Sequence, residues 1–312
     1  MTSSPLSTAR GAARRGLAAA ALAAAIAAVP CLAAPSSAAA GPRSEIYGVC
    51  NGRDLCVVDP ATRKLTRVAR GSAAAPYRGV SATPNGRAIA FARGTRIFRA
   101  GPRGAGARQV GGGMTPLVSP DGRAVTWRAE IQVQQCDPFG GCAQVQTFAL
   151  FRRANGEARP TVVEAYSYSS AWWGTRLVSQ NTRRGAEGDE ISLLDGDGRP
   201  VRSLTDDPAR SYTSPALSPD GALLAAISEP LPSGDADPAF KGRVELFDPA
   251  SGRPVRVLTE STTDDMPAFS PDGRQVAFNR GRDLYVVAAR GGRARRVAAN
   301  FVLSGPSWAR VR

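Results

Sequence analysis

Ser119-Pro120-Asp121-Gly122 recurs as Ser218-Pro219-Asp220-Gly221 and as Ser270-Pro271-Asp272-Gly273. A variant, Thr83-Pro84-Asn85-Gly86, precedes them, and Trp172-Trp173-Gly174 is a degenerate copy between them. After each turn the apolar residues alternate: Ile89 and Phe91, Val125 and Trp127, Leu224 and Ala226, Val276 and Phe278, with Leu177 and Ser179 after the degenerate copy. Proline sets φ at the first turn position, Asp or Asn tolerates the second, and Gly supplies positive φ on exit, so each copy predicts a tight turn joining two strands. A short strand precedes each turn: Leu117-Val118, Ala171-Trp172, Ala216-Leu217, Ala268-Phe269 and, last, Ser307-Trp308.

A third strand with its own turn recurs six times, at Leu55–Asp59, Ile97–Ala100, Phe148–Arg152, Ile191–Asp195, Val244–Asp248 and Leu284–Val287. A fourth strand follows, clearest at Val201–Leu204 and Val255–Leu258. The phase of the two ends is informative. Ile46 to Val49 sits where a second strand belongs, and the chain stops after a first strand at Trp308 and Val311. One unit is therefore completed from both ends, which closes a ring and removes its open edges. The 272 residues after position 40, divided by six, give about 45 per unit, the size of a propeller blade. The expected fold is all-β: a six-bladed β-propeller of four-stranded antiparallel blades over 41–312.

On these WD-like repeats the chain resembles the TolB-type β-propellers, whose units carry a Pro-x-Trp-Ser-Pro-Asp-Gly-like turn and a following apolar strand. The resemblance covers nearly all of 44–312. Its relatives include the periplasmic TolB proteins, which add an N-terminal α/β domain, and gating propellers attached to serine peptidases. Neither partner domain is expected here. The motif speaks to architecture more than to function.

Residues 1–40 read as a signal peptide: Arg10, Arg14 and Arg15 precede an apolar run from Leu17 to Val29, and Ala38-Ala39-Ala40 offers a small-residue cleavage site. A Sec route fits better than the weak twin-arginine pattern at Arg14-Arg15, and Pro30 before Cys31 does not make a lipobox. No other stretch is long and apolar enough to span a bilayer. Cys50 with Cys56, and Cys136 with Cys142, each enclose five residues rich in turn formers. Two local disulfides in an oxidising compartment are expected, each contributing about 2 kcal/mol by loop entropy; a four-thiolate metal site is the weaker reading.

The chain contains 40 Lys+Arg against 26 Asp+Glu and no histidine. The missing histidine removes Ser-His-Asp and Cys-His nucleophile chemistry, so Gly305-Pro306-Ser307-Trp308-Ala309 is no nucleophile elbow. Net charge is +14, or +11 without the three arginines of 1–40. The arginines are scattered without aromatic interleaving, which argues against nucleic acid. Trp127, Trp172, Trp173 and Trp308 fall at blade-packing positions.

Strand parity assigns the faces. The Pro-Asp-Gly turns and the third-to-fourth turns share one face, while the second-to-third loops and blade connections share the other. On that second face lie the insertions 129–147, 180–189 and 228–243, and elaborated loops on a rigid scaffold favour binding there. It also carries the carboxylate pairs Asp206-Asp207 and Asp264-Asp265, with Glu187, Asp189 and Glu190 nearby in sequence; these pairs are candidates for a cation or a basic peptide segment, although capping of turns or pairing with neighbouring arginines is the plainer reading. Asp195-Gly196-Asp197-Gly198 lacks the loop length and distal Glu of an EF-hand and reads as a hairpin turn. The expected function is a non-enzymatic, exported, monomeric propeller binding an envelope or extracellular protein or peptide through this face and the central channel. No cofactor is expected. The alternative is a calcium-dependent lactonase- or hydrolase-type propeller using those aspartates.

Overall fold

The computed structural model describes residues 43–136, 139–165, 167–182, 188–195, 198–205, 207–231, 242–261, 263–305 and 307–311. The signal-peptide reading of 1–40 lies outside them, as do Asp206, Glu187 and the centres of two predicted insertions, 183–187 and 232–241.

The described residues form six antiparallel sheets in a ring. Blade 1 holds β1 (Ser44–Cys50), β2 (Asp54–Val58) and β3 (Leu65–Ala69). Blade 2 runs β4 (Tyr77–Ala82), β5 (Ile89–Arg93), β6 (Arg96–Ala100) and β7 (Arg108–Gly112); blade 3 runs β8 (Met114–Val118), β9 (Ala124–Cys136), β10 (Cys142–Ala154) and β11 (Thr161–Ala165). Blade 4 comprises β12 (Ser170–Trp173), β13 (Arg176–Thr182), β14 (Asp189–Leu194) and β15 (Pro200–Ser203), so the degenerate copy is a full blade. Blade 5 is β16 (Arg210–Leu217), β17 (Leu224–Pro230), β18 (Arg243–Phe247) and β19 (Pro254–Val257); blade 6 is β20 (Asp264–Phe269), β21 (Gln275–Arg280), β22 (Asp283–Ala288) and β23 (Arg295–Ala298). The chain then returns to blade 1, where β24 (Phe301–Val302) and β25 (Trp308–Arg310) both pair with β1 as an interrupted first strand.

The Ser-Pro-Asp-Gly turn is stable because it satisfies itself within six residues. Ser119 donates its hydroxyl to Asp121 (2.6 Å) and accepts from the Ala124 N–H (2.9 Å), while Asp121 accepts from the Arg123 N–H (2.9 Å). The same net recurs at Ser218/Asp220, at Ser270/Asp272 and, with Thr83/Asn85, in blade 2. The Ser119 and Ser218 hydroxyls, each with a backbone N–H, hold Asp121 and Asp220 below the usual carboxylate range.

Two features were not visible in the repeat pattern. Every third strand meets its fourth through a register shift, at Leu55/Cys56, Ile97/Phe98, Leu150/Phe151, Leu193/Leu194, Leu246/Phe247 and Leu284/Tyr285, and such bulges increase blade twist. Arginines also bind one blade to the next. Arg99 donates to Gly122 O (2.7 Å), Arg202 to Pro249 O (2.8 Å) and Arg295 to Pro60 O (2.8 Å), each carbonyl belonging to a turn of the following blade. Part of the arginine excess is thereby spent on the seams between blades.

The cores lie between blades. Phe301 and Trp308 pack with Ile46, Val58, Ala277 and Val286 across the closing seam, and Gly48 leaves the space that the Phe301 ring fills. Trp127 is buried with Val125, Ile97 and Ala90 and lies directly on Gly111, where a Cβ has no room. The seam between blades 3 and 4 is the loosest. Its cluster is Leu150, Leu177 and Leu194, beside an open cleft lined by Val162, Val163, Trp172 and Leu193.

Candidate functional site

Each first strand begins on the loop-bearing face and runs along the channel toward the Ser-Pro-Asp-Gly turns. The turn-face mouth is apolar, lined by Val118, Trp172, Leu217, Phe269 and Trp308 with Pro84, Pro120, Pro219 and Pro271. Trp172 thus serves the channel wall as well as the core. The loop-face mouth is mixed: Thr115, Arg128, Tyr168, Ser170, Ser214 and Ser304 share its wall with Leu117, Met266 and two prolines.

Part of this lining has a local cause. In blades 3, 5 and 6 the first strand carries a residue in the left-handed region just before a proline: Thr115 (φ 48°), Ser214 (φ 53°) and Met266 (φ 52°). The ladder shifts register at each of these places, turning the side chain out of the pairing and onto the channel wall. Left-handed backbone is costly for non-glycine residues, and more so before proline. The available signal was a second proline four positions ahead of each turn proline, Pro116, Pro215 and Pro267. Serine hydroxyls then tie the blades around the channel: Ser304 accepts from Val80 N (2.7 Å), Ser81 from Val118 N (2.8 Å) and Ser169 from Ser214 N (3.2 Å).

The loop face carries one arm built entirely of strand. Residues 129–147, expected as an insertion, are the outer halves of β9 and β10, paired from Ala149↔Ala129 to Cys142↔Cys136. The Cys136–Cys142 disulfide closes the tip, where Phe139 is 98% exposed. Cys50 and Cys56 form the second disulfide, across the β1–β2 turn.

The predicted carboxylates have other partners. Asp264 is fully buried at its side chain and grips Arg280 with both oxygens (2.7 and 2.9 Å). The Arg280 guanidinium lies 5.0 Å from the Tyr285 ring centroid and 5.5 Å from that of Phe278; the Asp264 hydrogen bond raises the Arg280 pKa. Asp265 is exposed and accepts from Ser214 Oγ (2.8 Å) and from Met266 N (2.7 Å). Asp207 caps a turn through Ala209 N (2.9 Å). Asp189 accepts from Gln180 (2.7 Å), and Asp195 caps the β14–β15 turn through Arg199 N (2.8 Å). Among the described residues no three His, Cys, Asp or Glu side chains gather as a metal site.

No protein-family model matches the chain. Over 152 residues it is 34% identical to the TolB homolog of Chlorobium chlorochromatii strain CaD3, a match covering 38% of this chain and about a third (34%) of that protein's length. Among solved structures it is similar to the putative TolB of Agrobacterium tumefaciens, with a TM-score of 0.57 and 18% identity over 85% of this chain and 93% of that one. The chain folds as a six-bladed β-propeller similar to these TolB proteins. The fold is shared more widely. A chain of a nidogen/laminin complex superposes with a TM-score of 0.60 at 11% identity, over 85% of this chain and 97% of that one. An oligogalacturonate lyase in complex with manganese gives 0.52 at 15%, over 79% and 70%.

The two disulfides of the propeller are compatible with an extracytoplasmic location. Among its described residues no helix is long and apolar enough to cross a membrane.

Glu164 on β11 is buried opposite Leu150 and faces the Ser167 and Ser179 hydroxyls. Among the described residues its Oε2 has no hydrogen-bond partner. Burial pushes its pKa from 4.5 up to about 7, against the lowering effect of the two hydroxyls. A carboxyl whose folded pKa is raised contributes its full stability below the unfolded value and loses it as pH rises through the folded value. Stability should therefore fall between about pH 4.5 and pH 7 by on the order of 3 kcal/mol and then level off. Thermal melts at pH 5 and pH 8 check this: Glu164→Gln should abolish the difference.

Proposed function

We propose that this chain is a non-enzymatic, exported propeller that acts as a monomer and binds an envelope or extracellular protein, or a peptide segment of one, across its loop face and into the channel mouth. The supporting observation is the asymmetry of the two faces. One is formed by self-satisfied turns around an apolar opening; the other presents a mouth bearing Arg128 and several hydroxyls, two of them on residues held in left-handed backbone, and a disulfide-closed arm. Rigid sheets with one elaborated face present a fixed surface to a partner at little ordering cost. Asp207 and Asp265 are placed to meet basic groups of that partner at the rim, while Asp264 acts indirectly by fixing Arg280.

Export would use residues 1–40, so protein recovered from the envelope should have an intact mass beginning at Gly41. Recovery of uncleaved chain would contradict export by this route. The binding reading is tested by replacing 132–146 with Asn-Gly, which joins the paired residues Ile131 and Thr147 in a short hairpin. The melting temperature should stay within a few degrees, because the arm lies outside every blade core, while capture of partner from envelope extract should be lost. Undiminished capture would overturn the assignment of this face.

A further inference from the structure

Three side chains on the loop-face mouth retain hydrogen-bonding capacity that the protein leaves unspent. Arg128 donates from Nε to Thr115 Oγ1 (3.0 Å) and lies over the Phe148 ring, 5.4 Å from its centroid. Among the described residues it forms no ion pair, and no acceptor meets its two terminal nitrogens. Burial pushes its pKa down with no carboxylate to oppose the shift. The hydroxyls of Tyr168 and Ser170, on the same wall, likewise have no hydrogen-bond partner among the described residues. The remaining hydroxyls are engaged: Thr115 by Arg128, Ser214 by Asp265, Ser169 by Gln180 and Ser304 by Val80. No carboxylate of the described residues lines the cavity.

A half-buried cation without a counter-charge is unfavourable, and an incoming anion relieves it. The cavity is open to solvent, so a carboxylate at the end or side of a peptide can reach the guanidinium. A guanidinium fork matches the planar carboxylate with two parallel N–H donors, and the Phe148 ring beneath it restrains the plane of that fork.

We propose that the loop-face mouth is a carboxylate-binding pocket in which Arg128, Tyr168 and Ser170 hold the C-terminal or side-chain carboxylate of a bound peptide. This rests on the polypeptide-binding reading above and adds the chemistry it selects. Arginine Nε–H signals in NMR spectra of the chain from Gly41 onward test it. N-acetyl-tetra-alanine as the free acid should move the Arg128 signal saturably, and the C-terminal amide of that peptide should leave it in place. N-acetyl-Ala-Ala-Glu-Ala amide distinguishes a side-chain carboxylate from a terminal one, and inorganic phosphate reports a general anion site. Arg128→Gln should weaken binding of the acid about tenfold or more, and Arg152→Gln, on the outer seam, should not.

Equal responses to acid and amide, no response to either acidic peptide, or tighter binding of phosphate than of both would overturn the proposal. The acid–amide comparison on the unsubstituted chain stands even if Arg128→Gln misfolds. Capture of envelope protein by the intact and arm-trimmed chains, run in parallel, separates the failures. A silent Arg128 with arm-dependent capture defeats the pocket alone; absence of arm-dependent capture defeats the reading beneath it.

Discussion

Ending the chain at Asn300 should abolish cooperative folding. The deletion removes Phe301, Leu303 and Trp308, whose exposures are 0%, 1% and 4%, and all three pack into the seam between blades 6 and 1. Truncating a buried Phe or Trp costs about 3–5 kcal/mol and a buried Leu about 2–5 kcal/mol. The sum reaches the 5–15 kcal/mol that stabilises an ordinary domain. The deletion also strips β1 of both partners on one side, leaving a sheet edge open. Circular dichroism should show a broad transition in place of a sharp one, with rapid proteolysis of blade 1. Trp308→Ala alone should cost about 3–5 kcal/mol. A truncated chain that melts as sharply and as high as the full chain would show that the ends do not share a sheet.

Asp264→Ala should cost about 3 kcal/mol, whether or not calcium is present. The variant strands the Arg280 guanidinium, one-third exposed, against Phe278 and Tyr285. Replacing both partners should recover most of the loss, because an apolar pair of similar volume avoids the desolvation of two charges. The comparison is therefore Asp264→Ala against the double variant Asp264→Leu with Arg280→Met, by denaturant unfolding with and without calcium. Calcium-dependent stabilisation that is lost in Asp264→Ala, with unchanged stability in its absence, would instead assign Asp264 to a cation site.

Much of the architecture was legible because its signals are local. The Ser119-to-Ala124 net closes within six residues, so the sequence pattern is also the structural unit. The phase of Ile46 and Trp308 relative to that unit gave the closure, which depends only on strand order. Blade 4 was harder, since Trp172-Trp173-Gly174 lacks the Ser and Asp that mark the other turns and keeps only the glycine at φ 61°.

The site was less legible because its contacts are distant in sequence. Arg128, Tyr168 and Ser170 come together only after two blades are in place. Pairing with an arginine was the plainer reading of Asp264-Asp265, but the two residues alone do not tell that Arg280, cross-strand and sixteen positions on, takes Asp264 while Ser214 of another blade takes Asp265. The charges at the rim are thus sorted by tertiary pairing, which adjacent residues in a sequence do not disclose.

The claim that the loop-face mouth receives polypeptide is tested most directly by placing a photo-reactive benzoylphenylalanine at Tyr168 on the mouth and, separately, at Val162 on the outer strand β11. Irradiation in envelope preparations should give a polypeptide adduct from position 168 and none from 162. An adduct from 162 alone, or none from 168, would contradict the account.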